Sequence, residues 1–266
     1  MLSNLHTHTV FCDGSNTPEE IVLYAIDRGF DSLGFSGHGY TPFHLGYCMK
    51  DTDGYIDTIT ALKEKYKDKI QIYLGIEEDG FAPCDRSRFD YIIGSMHYVH
   101  TGNEYLPVDS SRDCMQRLRE HFNSDGEKIA TEYYSAFCDY ILKRRPDIIG
   151  HFDLVTKFDE KKEPIFLGSE KYHEIAEYYV KKALTADCFF EVNTGAMSRG
   201  MRTAPYPHER LLHIIRKNGG RLVLSSDSHS ADTLDYEFEN TRLLLKDVGF
   251  DCVYALFDGR FQRDYL

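Results

Sequence analysis

Short apolar runs alternate with longer amphipathic stretches along nearly the whole chain. Residues 32–36, 70–76, 89–94, 148–150, 188–193 and 221–225 are apolar runs of strand length, and residues 2–8, a short lead-in ending in two histidines, read as a first strand. Most show little polar alternation, the pattern of strands covered on both faces. Between them, residues 53–66, 169–185, 207–218 and 238–248 carry apolar positions at helical spacing. Residues 110–145 read as two helical stretches broken near Asn123-Ser124-Asp125-Gly126. Thr17-Pro18-Glu19-Glu20 is a helix start: Thr as N-cap, Pro in the first turn, Glu where the helix dipole favours it. The period-3.6 positions Ile21, Ala25 and Ile26 follow, and Gly29 ends the run. Residues 251–255 read as a last strand. Strand and helix thus alternate about seven or eight times, which predicts a parallel sheet of α/β class. No internal repeat, low-complexity tract or Pro- or Ser-rich linker interrupts the rhythm. The expectation is one domain over residues 1–266, closed or nearly closed as a barrel, with residues 106–125 as an insertion forming a lid or side helix.

Composition narrows the function. The chain of 266 residues has a formal net charge of −12. Nucleic-acid binding, which needs clustered Lys and Arg, is not expected. No apolar run approaches the ~20 residues of a membrane span. Seven cysteines are scattered without CxxC spacing, and the first motif is entered by residue 6. The reading is free thiols, no secretory leader and a reducing cytoplasm. Oligomeric state stays open.

The chemistry lies in where the polar exceptions fall. His6 and His8, His38, Glu77, His97, His151, Asp227 and His229 each sit at or just beyond the C-terminal end of a predicted strand. In a parallel barrel those ends share the face that carries active sites. Six of the twelve histidines belong to this set. Imidazole and carboxylate ligands without thiolate suit Zn, Mn, Fe or Ni better than Mg or Ca. With Asp13 in the first loop, the ligands are too many for one tetrahedral ion. Two or three divalent transition-metal ions are implied, with Glu77 as the natural bridge.

On these residues the chain resembles the PHP (polymerase and histidinol phosphatase) superfamily. Four motifs match in order: His6-Thr7-His8; Glu77 with Gly94-Ser95-Met96-His97; Gly150-His151-Phe152-Asp153; and Ser226-Asp227-Ser228-His229. Chain length, the run from Asp90 to His97, and Glu191-Val192-Asn193-Thr194 followed by an Arg-bearing loop resemble its monofunctional histidinol-phosphate phosphatase branch. The resemblance implies a distorted (β/α)7 TIM-like barrel with Zn, Fe or Mn in a trinuclear site. His6, His8, Glu77 and Asp227 would hold the first ion. Glu77, His97 and His151 would hold the second, and Asp13, His38 and His229 the third. It further implies hydrolysis of L-histidinol phosphate, a small phosphate monoester, by attack of a metal-bridging hydroxide. A PHP phosphoesterase acting on nucleotides or nucleic-acid ends is the alternative. A non-catalytic scaffold is disfavoured because every ligand position is filled.

Phosphate also needs fixed cations. Arg199 is the first choice and Arg202 the second; Lys157 is a further candidate for a phosphate ligand. The leaving alkoxide needs a proton, for which Asp13, His229 and water are candidates. His44 and His100 follow ligand-bearing segments and are expected to line the pocket, with Phe43 and Tyr98 as possible walls. Glu104 and Asp109 are placed to meet a substrate amine. Cys12, His121, His173 and His213 are expected to pack or face solvent.

Overall fold

The computed structural model describes residues 1–160 and 164–266. Along the chain run β1 (Ser3–Asn4), α1 (Pro18–Asp27), β2 (Ser32–Phe35), α2 (Thr52–Lys65), β3 (Gln71–Asp79) and β4 (Tyr91–Ser95). A hairpin of β5 (Tyr98–His100) and β6 (Tyr105–Pro107) follows, then α3 (Arg112–His121), α4 (Gly126–Arg144) and β7 (Ile148–Ile149). The chain continues through α5 (Glu170–Leu184), β8 (Phe189–Asn193), the single turn α6 (Gly195–Ser198), α7 (Glu209–Lys217), β9 (Arg221–Ser225) and α8 (Phe238–Val248). It ends in β10 (Cys252–Phe257) and β11 (Arg260–Tyr265).

Seven parallel strands form one sheet in the order β1-β2-β3-β4-β7-β8-β9. Its edges meet beyond β1 and β9, where Thr7 bridges Ser228. His8 N donates to Ser228 O at 2.8 Å, and Ser228 N to His6 O at 3.1 Å. The sheet therefore curls into a nearly closed barrel, fastened at the end where the ligand residues lie. The helix start at Thr17 forms as its residues require: Thr17 and Glu20 make a reciprocal capping box, with Pro18 in the first turn.

Two elements differ from the sequence reading. The first strand ends at Asn4 rather than running to His8. Asn4 Oδ1 accepts from His6 N at 3.0 Å, and Asn4 Nδ2 donates to Ser226 Oγ and Leu234 O. A side chain thus takes over the backbone's pairing and bends the chain into the site. Residues 251–255 do not extend the barrel. They belong to an antiparallel hairpin, β10–β11, whose Leu256 joins Leu5, Tyr73, Tyr91, Ile93, Ile148, Phe189 and Val223 in one buried cluster. This hairpin plugs the N-terminal end of the barrel. Tyr91 crosses the interior so closely that a Cβ at Gly75 would lie 2.2 Å from its ring. Only glycine fits there. The insertion supplies β6 and α3 and carries Asp109 to the cleft. Among the described residues, no helix is long and apolar enough to cross a membrane.

Candidate metal centre and cleft

Glu77 lies near the end of β3, fully buried, with five imidazoles converging on its carboxylate. Oε1 is 2.9 Å from His151 Nε2 and 3.3 Å from His97 Nε2. Oε2 is 2.7 Å from His38 Nδ1, 3.3 Å from His6 Nε2 and 3.6 Å from His8 Nε2. Asp227 Oδ1 faces His8 Nε2 at 3.0 Å, His229 Nδ1 at 3.6 Å and His6 Nε2 at 3.7 Å. Asp13 Oδ2 faces His229 Nε2 at 3.3 Å and His38 Nε2 at 3.7 Å. All nine residues singled out as ligands come together. Their closest groupings are His6, His8 and Asp227; His6, Glu77 and His151; His38, Glu77 and His97; and His8, Asp13, His38 and His229. Glu77 and several rings are shared between groups, so His38 stands beside Glu77 as well as Asp13.

The loop after β9 aims Asp227 with a backbone φ of 47°. This left-handed conformation is one that Asp tolerates better than most residues. Burial by itself disfavours charge on Glu77, Asp227 and Asp13. The surrounding imidazoles, with Arg199 beside Asp227, nevertheless hold all three below the usual carboxylate range. Reciprocally, burial opposes protonation of His6, but Glu191, Glu77 and Asp227 raise its pKa to about 10. His8 and His97 are raised by their carboxylates against the same penalty, whereas burial wins at His38 and lowers it.

The centre therefore calls for positive charge. Among the described residues, His6 Nε2, His8 Nε2 and Glu77 Oε2 are buried and make no hydrogen bond of good geometry despite their close neighbours, although such atoms are normally satisfied. His6 Nδ1 meets Glu191 Oε1 at 2.6 Å, and His97 Nδ1 meets Asp79 Oδ2 at 3.1 Å. Each carboxylate fixes the tautomer that leaves Nε2 as the lone-pair nitrogen, the arrangement of a metal-ligating histidine. Three carboxylates and six imidazoles with orphaned inward atoms fit divalent transition metals. Sequence reasoning assigned no role to Glu191 or Asp79. A carboxylate inside the apolar run 188–193 was the available signal for Glu191.

Above this centre opens a cleft of about 510 Å³, lined among others by Asp13, His44, Tyr47, Tyr98, Asp109, Lys157, Arg199 and His229. Arg199 Nη2 donates to Asp227 Oδ2 at 3.0 Å, and Nη1 donates to Asp227 O at 3.1 Å. Lys157 Nζ lies 3.3 Å from Asp109 Oδ2. Burial works against charge on Asp109, but Lys157 and nearby histidines hold its pKa below the ordinary value. His44 Nδ1 meets Tyr98 Oη at 2.7 Å.

Several expected contacts are corrected. Arg202 is 3% exposed and does not line the cleft. It bonds Thr156 Oγ1, lies 3.4 Å from Glu160 and 3.9 Å from Asp153, and covers the Tyr206 ring. These partners turn it behind the cleft, where it ties its own loop to the segment after His151. His100 is exposed and stacks on Tyr105, also outside the cleft. It sits two residues beyond Tyr98, ~7 Å further along the hairpin. Glu104 is exposed and pairs with Arg117. Phe43 stacks on Tyr105 rather than forming a wall. Cys12 Sγ lies 3.5 Å from His8 Nδ1 and packs beneath Gly37. His173 bonds Leu167 O, while His121 and His213 are exposed.

Comparisons with known proteins bear on the family and the fold. Over 279 residues the chain is 29% identical to a Schizosaccharomyces pombe protein named "Probable histidinol-phosphatase", covering 96% of this chain and 89% of the relative. It is 26% identical to the histidinol-phosphatase of Bacillus subtilis over 259 residues, 88% and 96% of the two chains. Its fold superposes on a Lactococcus lactis histidinol phosphate phosphatase, crystallised with zinc, L-histidinol and phosphate, with a TM-score of 0.75. That match covers 98% of both chains at 22% identity. The PHP domain family model matches residues 4–195, most of the barrel and seven of the nine clustered candidate ligand positions, and the chain belongs to that family.

Proposed function

We propose that this chain is a metal-dependent phosphomonoesterase that hydrolyses L-histidinol phosphate to L-histidinol and phosphate, a step of histidine biosynthesis. One observation carries the reading: a buried imidazole–carboxylate centre on Glu77 opens into a cleft that also presents Arg199 and Lys157. The names of the curated relatives supply the substrate.

Two or three ions of Zn, Fe or Mn fit the donor set. His6, His8, Glu77 and Asp227 would hold one; Glu77, His97 and His151 a second; Asp13, His38 and His229 a third. When bound, such ions supply Lewis acidity toward phosphoryl oxygens and bring the pKa of water toward neutrality. The chain's residues do the rest. Arg199, anchored on Asp227, and Lys157 bind the equatorial phosphate oxygens and offset their growing charge. Glu191 and Asp79 keep His6 and His97 in the ligating tautomer. Asp13 and His229, side by side at the cleft, are the candidates for passing a proton to the leaving alkoxide. His44 and Tyr98 form one wall for the organic part of the substrate. The chain acts as a single domain over residues 1–266. Seven free cysteines suit a cytoplasmic enzyme, and the charge of −12 disfavours nucleic-acid substrates.

The test is kcat/KM for L-histidinol phosphate beside nucleotides and sugar phosphates, on protein whose bound metals have been counted. A strong preference for histidinol phosphate with two or three ions per chain is expected. Full metal content with turnover of nucleotides alone would overturn the substrate.

A further inference from the structure

Among the described residues, three carboxylates line the cleft: Asp13, Asp109 and Asp227. Asp13 and Asp227 belong to imidazole–carboxylate groups; Asp109, among the described residues, belongs to none. The chain between β6 and α3 brings it there, and its Oδ2 stands 3.3 Å from Lys157 Nζ. The two side chains are only 22% and 14% exposed. One wall of the cleft thus presents a cation and an anion side by side.

A phosphate site has no use for the anion. A carboxylate in a partly desolvated cleft repels the phosphate that its neighbour attracts, unless the substrate carries its own cation close to phosphorus. A phosphate ester of a 2-amino alcohol does so: its ammonium is separated from the phosphate by two carbons and the ester oxygen. We propose that Asp109 is a specificity-determining residue that binds the ammonium group of such a substrate while Lys157 turns to its phosphate. This deepens the phosphomonoesterase reading above and rests on it. The substrate's opposite charges mirror the wall's, and binding exchanges one ion pair for two. Neither wall charge is left buried alone, which would be the costly outcome. Without substrate, Lys157 and Asp109 satisfy each other, as the structure shows. Glu104, in the turn of the β5–β6 hairpin, cannot serve, being exposed and paired with Arg117 at 2.9 Å.

The experiment measures kcat/KM for two matched pairs: L-histidinol phosphate against its deamino analogue, and O-phosphoethanolamine against ethyl phosphate. It uses the metal-loaded chain, Asp109→Asn and Asp109→Glu, with metal content counted in each. The unchanged chain should prefer the amine in both pairs. Asp109→Asn should reduce that preference about 10- to 100-fold, the worth of one charged hydrogen bond, and Asp109→Glu should recover part of it. An unchanged preference in Asp109→Asn, or an equal fall for amine and amine-free substrates, overturns the proposal and leaves the phosphatase reading standing. Failure of the unchanged chain to hydrolyse histidinol phosphate, with nucleotides turned over instead, overturns the phosphatase reading and the proposal with it.

Discussion

Replacing Glu191 by Gln tests the support of the metal centre through one atom. Glu191 is fully buried on β8 and accepts four hydrogen bonds. Oε1 receives His6 Nδ1 at 2.6 Å and Ser225 Oγ at 2.9 Å; Oε2 receives His151 N at 2.8 Å and Asn193 Nδ2 at 2.9 Å. Glutamine keeps the shape but offers one acceptor oxygen, so its amide NH2 must face two of these donors. Turned toward Oε2's partners, it leaves a backbone N–H and an Asn amide unpaired. Asn193 cannot flip freely, because its Oδ1 holds Gly195 N at 2.8 Å. Turned toward Oε1's partners, it forces His6 into the tautomer with a proton on Nε2, the atom meant for metal. Two buried donors left unpaired cost about 2–6 kcal/mol together. Lost support of a metal-ligating histidine typically weakens metal binding ~10- to 100-fold. Urea unfolding of metal-free protein reads the first quantity, and competitive metal titration reads the second. A Gln variant within ~0.5 kcal/mol of the parent that still binds metal equally would refute this account of Glu191.

Other expectations follow from the same geometry. His97→Ala and Glu77→Ala should abolish turnover while the circular dichroism of a folded protein persists; near-normal rates at full metal content would dismiss the ligand assignment. Arg199→Ala should raise the inhibition constant of inorganic phosphate at least ~10-fold with little change in Tm. Arg202→Ala should act chiefly on stability, losing ~3 kcal/mol or more because Asp153 is left buried without its cation; the reverse ranking would mean that the two arginines exchange roles. Chelation should remove activity and lower Tm, and Zn, Mn or Fe should restore both; activity that survives verified metal removal contradicts the metal reading. Glu78 is held below its usual pKa, against burial, by Arg144, whose Nε and Nη2 meet it at 2.7 Å. A depressed carboxylate pKa stabilises the fold above the unfolded value of about 4.3, and that stability is lost as pH falls through the folded value. In metal-free protein, Arg144→Met should therefore cost ~3 kcal/mol near pH 7, shrinking below pH ~4; a penalty that stays constant into acid would be incompatible with the pair.

The meeting of the candidate ligands was legible from where the strands end. Parallel strands all end on one face, so His6, Glu77, His97, His151 and Asp227, each closing a strand or standing just beyond it, had to meet there whatever the details of the barrel. What the sequence could not resolve is direction over a few residues. Arg199 and Arg202 stand three apart after one short run, and both were candidates for the phosphate, Arg199 ahead of Arg202. Arg199 ends the single turn α6, and Gly200 then takes a φ of 63°, reversing the chain so that Arg202 turns back behind the cleft. The same holds for two acids that follow β5. Glu104 and Asp109 were equal on paper, but the β5–β6 hairpin points the first outward and returns the second to Lys157. Grouping of the candidate ligands was hidden for another reason: Glu77 faces rings that follow β1, β2, β4 and β7 at once, so no pairwise spacing can separate the sets. Of the β10–β11 plug, β10 overlaps the strand read at 251–255, whereas β11 escaped notice because four of its six residues, Arg260, Gln262, Arg263 and Asp264, are polar. Sequence pattern thus located the chemistry, whereas the direction of each charge within the cleft was set by turns of one or two residues. Those directions separate a bare phosphate site from one that also reads an amine.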